Sequence, residues 1–179
     1  MVVVNGVPSA RHNHFDVDAS ESGLLIQARS TAGAISFGTN AIEGSVDVAE
    51  FDGALMLIPP PLADLSVDLR TLRSGNKLYD AELAQRLDVR RHPTASITLN
   101  GASMAGTRYQ VTGLVTLHGA TKEMSGSVTA ERAEDGWLIS GEQVFDIRDF
   151  DIPVPSVLML RIFPDVRVFL TLMLRPSAA

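Results

Sequence analysis

Four histidines and one dense run of charge are the residues of this chain whose types and spacing could do chemistry. His12 and His14 stand two apart, so on a strand both rings would emerge on one side, as metal ligands do. Zinc needs three or four ligands, and the sequence places no third one, so the pair is expected on an exposed polar N-terminal arm. His118 precedes Gly119 and His92 precedes Pro93, which are turn or surface contexts. Asp146, Arg148, Asp149 and Asp151 form the densest charge cluster, and paired carboxylates can work as acid and base. Asp146 and Arg148, however, would share the polar side of a strand, where a solvated ion pair is the ordinary outcome. No nucleophile elbow, phosphate loop, dinucleotide fingerprint or metalloprotease motif occurs. No catalytic residue is assigned, and the sequence calls for no cofactor.

Composition narrows the partners. The chain has 179 residues, a length common for a single β-barrel domain, and 45% of them are hydrophobic, enough for a packed core. Lys and Arg number 15 against 21 Asp and Glu, a formal net charge of −6. That balance repels phosphate backbones, and the longest basic run is Arg90-Arg91, so nucleic acid is not expected as a partner. The absence of cysteine excludes disulfides and thiol chemistry. Met1 to Pro8 shows no basic n-region, and its apolar run is short for a signal peptide, so the chain as written reads as cytoplasmic. The apolar run Val157-Leu158-Met159-Leu160 is broken by Arg161, and no membrane-spanning segment is expected.

Alternation with a period of two runs through most of the chain. Phe15, Val17 and Ala19 alternate with polar neighbours, as do Leu24, Ile26 and Ala28, then Ile42, Val46 and Val48. Leu65, Val67 and Leu69 continue the pattern, followed by Ile97 and Leu99. Tyr109, Val111, Val115 and Leu117 lead to Met124 and Val128. Trp137, Ile139, Phe145 and Ile147 follow, and Val166, Val168, Leu170, Leu172 and Leu174 close the chain. Asn5-Gly6, Asp52-Gly53, Asn100-Gly101, His118-Gly119 and Asp135-Gly136 offer the positive φ that tight hairpins need. Pro59-Pro60-Pro61 lacks backbone donors and must connect strands or lie at an edge. One apolar and one polar face, repeated eight to ten times with short connections, predicts a closed or nearly closed antiparallel barrel.

Two segments break the rhythm. From Asn76 to Leu87 the spacing becomes helical, with Tyr79, Leu83 and Leu87 four apart and Leu78 and Ala81 beside them. Asp80 and Glu82 sit early, where carboxylates favour the positive helix end. Such a helix must lay its stripe on apolar surface, and in a barrel it is expected as a cap. Ile152-Pro153-Val154-Pro155-Ser156-Val157-Leu158-Met159-Leu160 is too apolar for a solvated loop. It can plug one barrel end, contact a second copy, or form a lipid-facing mouth, where flexible Met159 would suit a variable guest.

Four stretches together resemble the YceI-like family of bacterial lipid-binding proteins. Tyr79-Asp80-Ala81-Glu82-Leu83 and Leu87-Asp88-Val89-Arg90-Arg91-His92-Pro93 are similar to the family's helix and strand-entry signature. Gly113-Leu114-Val115-Thr116-Leu117-His118-Gly119-Ala120-Thr121-Lys122 is similar to its hairpin pattern, and Arg148-Asp149-Phe150-Asp151-Ile152 to its late motif. The likeness runs from about Phe15 to Leu174. Where the family's helix carries Arg and His, Tyr79 and Glu82 stand here, removing positive groups that could meet a phosphate head. The resemblance implies an all-β, antiparallel eight-stranded lipocalin-like barrel with one capping α-helix, often dimeric, that holds a polyisoprenoid or another long-chain lipid. Most members are exported.

The expected organisation is an N-terminal arm over 1–14 and a barrel over 15–175. The expected function is non-enzymatic binding of a polyisoprenoid, isoprenoid quinone or fatty-acid derivative in the lumen, for transport, storage or sensing. No individual ligand contact is assigned, and Val67 is left out of the contact set. At about 0.8 kcal/mol per CH₂, a buried sixteen-carbon tail offers roughly 13 kcal/mol before binding costs, so tail length alone would give tight binding. Ala28, Gly44, Gly113, Gly126 and Gly141 stand among the large inner residues, where they either leave space or let the barrel bend sharply. A structural barrel with a filled core is the alternative, and an enzyme of lipid metabolism would require an acid, base or metal inside.

Overall fold

The computed structural model describes residues 11–154, 156–157 and 159–178. Its strands are β1 (Arg11–Val17), β2 (Gly23–Ser30), β3 (Gly33–Thr39), β4 (Ile42–Phe51), β5 (Ala54–Met56) and β6 (Leu62–Asp68). Helix α1 (Lys77–Arg86) follows, then β7 (Thr94–Ala105), β8 (Arg108–Leu117), β9 (Ala120–Ala133), β10 (Gly136–Asp146), β11 (Ser156–Val157) and β12 (Leu160–Pro176). Strands β1, β4, β6, β7, β8, β9, β10 and β12 pair in that order, and β12 pairs back to β1 through Phe15↔Pro176 and Val17↔Leu174. All of these pairings are antiparallel, so the ring is a closed eight-stranded barrel with no free edge around its girth.

The long last strand is shared. β10 runs along one side of it from Asp146↔Asp165 to Trp137↔Leu174. On the other side β1 covers its end, and β2 continues from Thr171↔Gly23 to Ile162↔Ser30. The break between β1 and β2 is a 3₁₀ turn, Ala19–Glu21, capped by Asp18 accepting from the Ser20 N–H at 3.0 Å. Buried Ser22 closes the break, donating from Oγ to the Asp18 carbonyl at 2.6 Å and accepting the Met173 N–H at 2.9 Å. Ala19, expected in the first strand, therefore belongs to this turn. Among the described strands β3 pairs only with β2, and its Gly38 bridges to Arg73.

Turn residues did what their chemistry allows, with two differences. Asp52-Gly53 (φ 50° and 74°) and His118-Gly119 (φ 54° and 76°) both form tight hairpin turns with two positive φ angles. Asn100-Gly101, expected to be a turn, lies inside β7, where the register shifts between Leu99 and Gly101. That bulge moves the inward parity from Leu99 to Ala102, and the hairpin turns later, at Gly106-Thr107. The Asp135-Gly136 turn is shifted by one residue: Glu134-Asp135 make the turn, and Gly136 opens β10 pressed against the Leu174 carbonyl. Asn5-Gly6 lies outside the described residues.

Helix α1 has the expected limits. The Asn76 side chain accepts from the N–H groups of Leu78 (2.9 Å) and Tyr79 (3.3 Å), and Leu87 ends the helix. Asp88 then takes φ 47° and leads into Pro93 and β7. Strands β9 and β10 pair only as far as Glu142↔Ser127, and the 3₁₀ turn Ile147–Phe150 packs where they part. Phe150 is 1% exposed, and its carbonyl accepts from His118 Nδ1 at 3.1 Å.

Candidate functional site

The inward residues line two apolar chambers stacked along the barrel. The upper chamber is walled by β2, β3, the start of β12 and α1, with Phe145, Ile147, Phe150 and Ile152 closing one side. The lower chamber lies among Val46, Leu55, Leu57, Tyr109 and Trp137 on the other half of the strands. Each offers about 170 Å³ to the centres of water-sized atoms, where roughly 10–15 Å³ accommodates one water, so the interior is not filled by its own side chains. The surface that both present is apolar throughout. Ile97 lines both chambers, which therefore abut at its level.

Alternation along the strands explains the lining. Val166 and Val168 of β12 face the upper chamber, and Leu170, Leu172 and Leu174 face the lower one. Val67, left out of the ligand set on sequence, lines the upper chamber beside Leu69. The helix contributes Tyr79, Glu82, Leu83, Arg86 and Leu87, a stripe of i, i+3, i+4, i+7 and i+8. Leu78, expected next to that stripe, is half exposed instead. Ile35 and Phe37 of β3 also face the upper chamber. They alternate with Ala34, Ser36 and Gly38, residues so small that the strand pattern is weak in the sequence.

The small inner residues divide between the two physical roles open to them. A Cβ at Gly44 would collide with the Asp64 carbonyl oxygen, and one at Gly113 with that of Thr98. Those glycines let neighbouring strands approach at sharp bends. A Cβ at Gly141 would stand 2.9 Å from Val128 Cγ1. At Gly126 the nearest atoms would be Gln143 Oε1 at 3.6 Å and Val111 Cγ2 at 4.0 Å, ordinary contact distances. Gly126 and Ala28 thus leave room, Ala28 in the upper wall itself.

The groups singled out for chemistry do not converge. His12 and His14 lie in β1 rather than in an arm, because pairing with β4 already begins at Arg11↔Glu50. Residues 1–10 of the expected arm lie outside the described residues. His14 Nδ1 bonds Asp47 Oδ1 at 2.6 Å on the outer face. Among the described residues no three His, Asp or Glu side chains are grouped to hold a metal ion. Asp146 caps the turn Ile147–Phe150 through the Arg148 N–H and pairs with the Arg148 guanidinium at 2.6 Å. The ion pair is as expected, but it sits in a 3₁₀ turn, because the strand ends at Asp146. The Arg148 side-chain hydrogen bond holds the Asp146 carboxyl below its usual range. Asp149 and Asp151 are exposed. His118, expected with His92 in a turn or surface context, stands in the β8–β9 turn; both rings are half-buried and meet edge to face at 5.4 Å, tying the helix exit to that turn.

The tract from Ile152 divides. Ile152 is buried and lines the upper chamber, whereas Val154 is exposed and Met159, at φ 70°, points wholly to solvent. Met159 does not guard the opening; Ile152 and Ile162 stand at the chamber wall on either side. Pro155 and Leu158 lie outside the described residues. Among the described residues no helix is long and apolar enough to cross a membrane.

A barrel of this topology around an apolar lumen defines a class of binding scaffold, and comparison with known proteins gives it a family. The model of the YceI-like domain matches residues 15–174, and the chain belongs to the YceI-like family. Among solved structures, BcnA of Burkholderia cenocepacia is 18% identical, with a TM-score of 0.74 over 88% of this chain and 98% of that one. A polyisoprenoid binding domain from Saccharophagus degradans, implicated in plant cell wall breakdown, is 13% identical, with a TM-score of 0.71 over 93% and 100% of the two chains. A Campylobacter jejuni YCEI protein is also 13% identical, with a TM-score of 0.59 over 77% and 82%. At these identities the likeness is one of fold. No curated protein matches the sequence.

Proposed function

We propose that this protein binds one long-chain lipid, a polyisoprenoid, isoprenoid quinone or fatty-acid derivative, with its chain along the lumen and without chemical conversion. The observation that carries this reading is the pair of abutting apolar chambers that share Ile97. A tail lying through both would exchange water for hydrocarbon contacts along its length, at about 0.8 kcal/mol per CH₂. Family membership supports the reading, as does the polyisoprenoid binding domain among the structural neighbours. The polar clusters on the outer face and in the capping turns have no part in it. Storage, transport and sensing all require the same lumen.

The test is organic extraction of protein purified from its host, followed by mass spectrometry. A long-chain lipid recovered in proportion to protein is the expected result. A protein that carries no lipid and takes up no long-chain probe from micelles would refute the carrier role.

A further inference from the structure

The lower chamber is not walled by a strand ladder on every side. Pairing of β6 with β7 stops at Ala63↔Leu99, whereas β7 runs on to Ala105, and among the described strands β5 pairs with β4 alone. Beyond that point the segment linking β5 to β6 supplies the wall, through Leu57 and Pro61, and Ala102 lines the chamber from β7. Around this closure stand Ile58, 84% exposed, Leu62, 56%, and Met104, 55%. Met104 is the cross-strand partner of Tyr109, itself a lining residue. We infer that this apolar rim docks on the surface of a zwitterionic bilayer, so that a lipid tail passes between membrane and lower chamber without crossing water. The inference deepens the carrier reading and rests on it for the choice of a bilayer as the partner.

Large apolar side chains left together in water mark a contact surface. Neither 53–63 nor 94–107 contains a charged side chain, so the rim can enter the apolar edge of a bilayer without desolvating charge. Pro59, Pro60 and Pro61 carry no N–H, which removes three donors that would find no partner in hydrocarbon. The same prolines deny those donors to a strand added by another protein chain. Leu57 and Pro61 flank Ile58 and the first two prolines, so the stretch that meets the bilayer is continuous with the chamber wall. The opposite end of the barrel offers no such rim. There the exposed Leu78, Val154 and Met159 stand among exposed Lys77, Asp149, Asp151 and Arg161. The net charge of −6 disfavours an anionic surface, so the attraction is apolar and insensitive to salt.

The experiment mixes the full-length protein with vesicles of phosphatidylcholine, or of phosphatidylcholine with phosphatidylglycerol, and reads the bound fraction by flotation. The expected result is binding to phosphatidylcholine that is no stronger on the anionic vesicles and equal at low and high salt. Ile58→Glu and Met104→Glu should each lower the partition coefficient about tenfold, and Met159→Glu, at the other end, should not lower it. Thermal melts report that each variant is folded. A wild type that stays unbound, or binding that Ile58→Glu and Met104→Glu leave intact, overturns the docking surface. So does a wild-type dimer that Ile58→Glu splits in light scattering, because the rim then covers a second copy. A wild type that floats with vesicles yet takes up neither farnesol nor solanesol refutes the carrier reading, and with it the passage of a tail through the rim.

Discussion

Trp137 of β10 donates its indole N–H to Glu50 of β4 at 2.6 Å, joining two strands that are separated in the sheet by β1 and β12. The same carboxylate oxygen accepts from Arg132 at 2.6 Å, the Arg132 guanidinium lies 5.1 Å from the indole ring, and Asn13 donates to the other oxygen. The network stands at the end of the lower chamber, which Trp137 lines. Glu50→Ala would leave the indole N–H of a residue only 5% exposed without its acceptor. The expected loss is about 1–3 kcal/mol, seen as a lower urea midpoint with an unchanged slope.

Phe150 is the keystone of the region where β9 and β10 part. It is 1% exposed, lies 6.2 Å from the Phe145 ring and lines the upper chamber. Phe150→Ala should cost about 3–5 kcal/mol, read as a fall in thermal midpoint. Bound lipid should also leave faster from this variant, because the wall between the parted strands loses its largest side chain.

Two sets of titrating groups act on stability in opposite pH ranges. The hydrogen bond to Asp47, with the charges of Asp47 and Asp16, raises the His14 pKa above 6.5. A raised folded value means that the contribution is complete below pH 6.5 and is lost as pH rises through the folded pKa. NMR titration of the His14 ring should show this elevation, and Asp47→Asn should lower the value towards 6.5. Asp18, Asp68 and Asp146 cap the 3₁₀ turns Ala19–Glu21, Leu69–Thr71 and Ile147–Phe150, and side-chain hydrogen bonds from Ser20, Arg70 and Arg148 hold their pKa values below 3.8. Their contribution is present above pH 3.8 and disappears as pH falls through the folded values. Asp68→Asn with Asp146→Asn should therefore flatten the acid limb of the stability profile while leaving the limb near pH 7 in shape.

The inner glycines separate into positions that hold the fold and one that holds space. Gly44→Ala and Gly113→Ala force a Cβ against a backbone carbonyl and should yield little folded protein. Gly126→Ala should fold normally. Gly126→Phe would add a ring beside Val111 of the lower chamber, so it should retain farnesol and lose solanesol, with the comparison of the two prenols as the readout.

Much of the lumen was legible in the sequence because a strand assigns every second side chain to the inside. Val166 to Leu174, Trp137 and Ile139 fall where alternation puts them. The helix was legible from Asn76 to Leu87, since a polar cap and four-residue spacing leave one consistent phase. The departures share a cause, the equivalence of local chemistry in different settings. Asn-Gly serves a hairpin turn or a bulge equally well, so Asn100-Gly101 could not announce that β7 continues. Ile147 keeps the parity of Phe145 whether the strand goes on or turns into a 3₁₀ cap. β3 was hidden by its small residues. Glu82 and Arg86 have the spacing of any solvated helix pair, and only the placement of α1 over the barrel brings them to the chamber wall.

The single tryptophan reports from the lower chamber, so one titration tests the central claim most directly. Delipidated protein is titrated with solanesol while Trp137 emission is followed. A chain that threads both chambers should shift the emission and saturate at one molecule per barrel. Emission that stays constant at every ratio, while the folded barrel persists, would contradict a lumen that holds the chain.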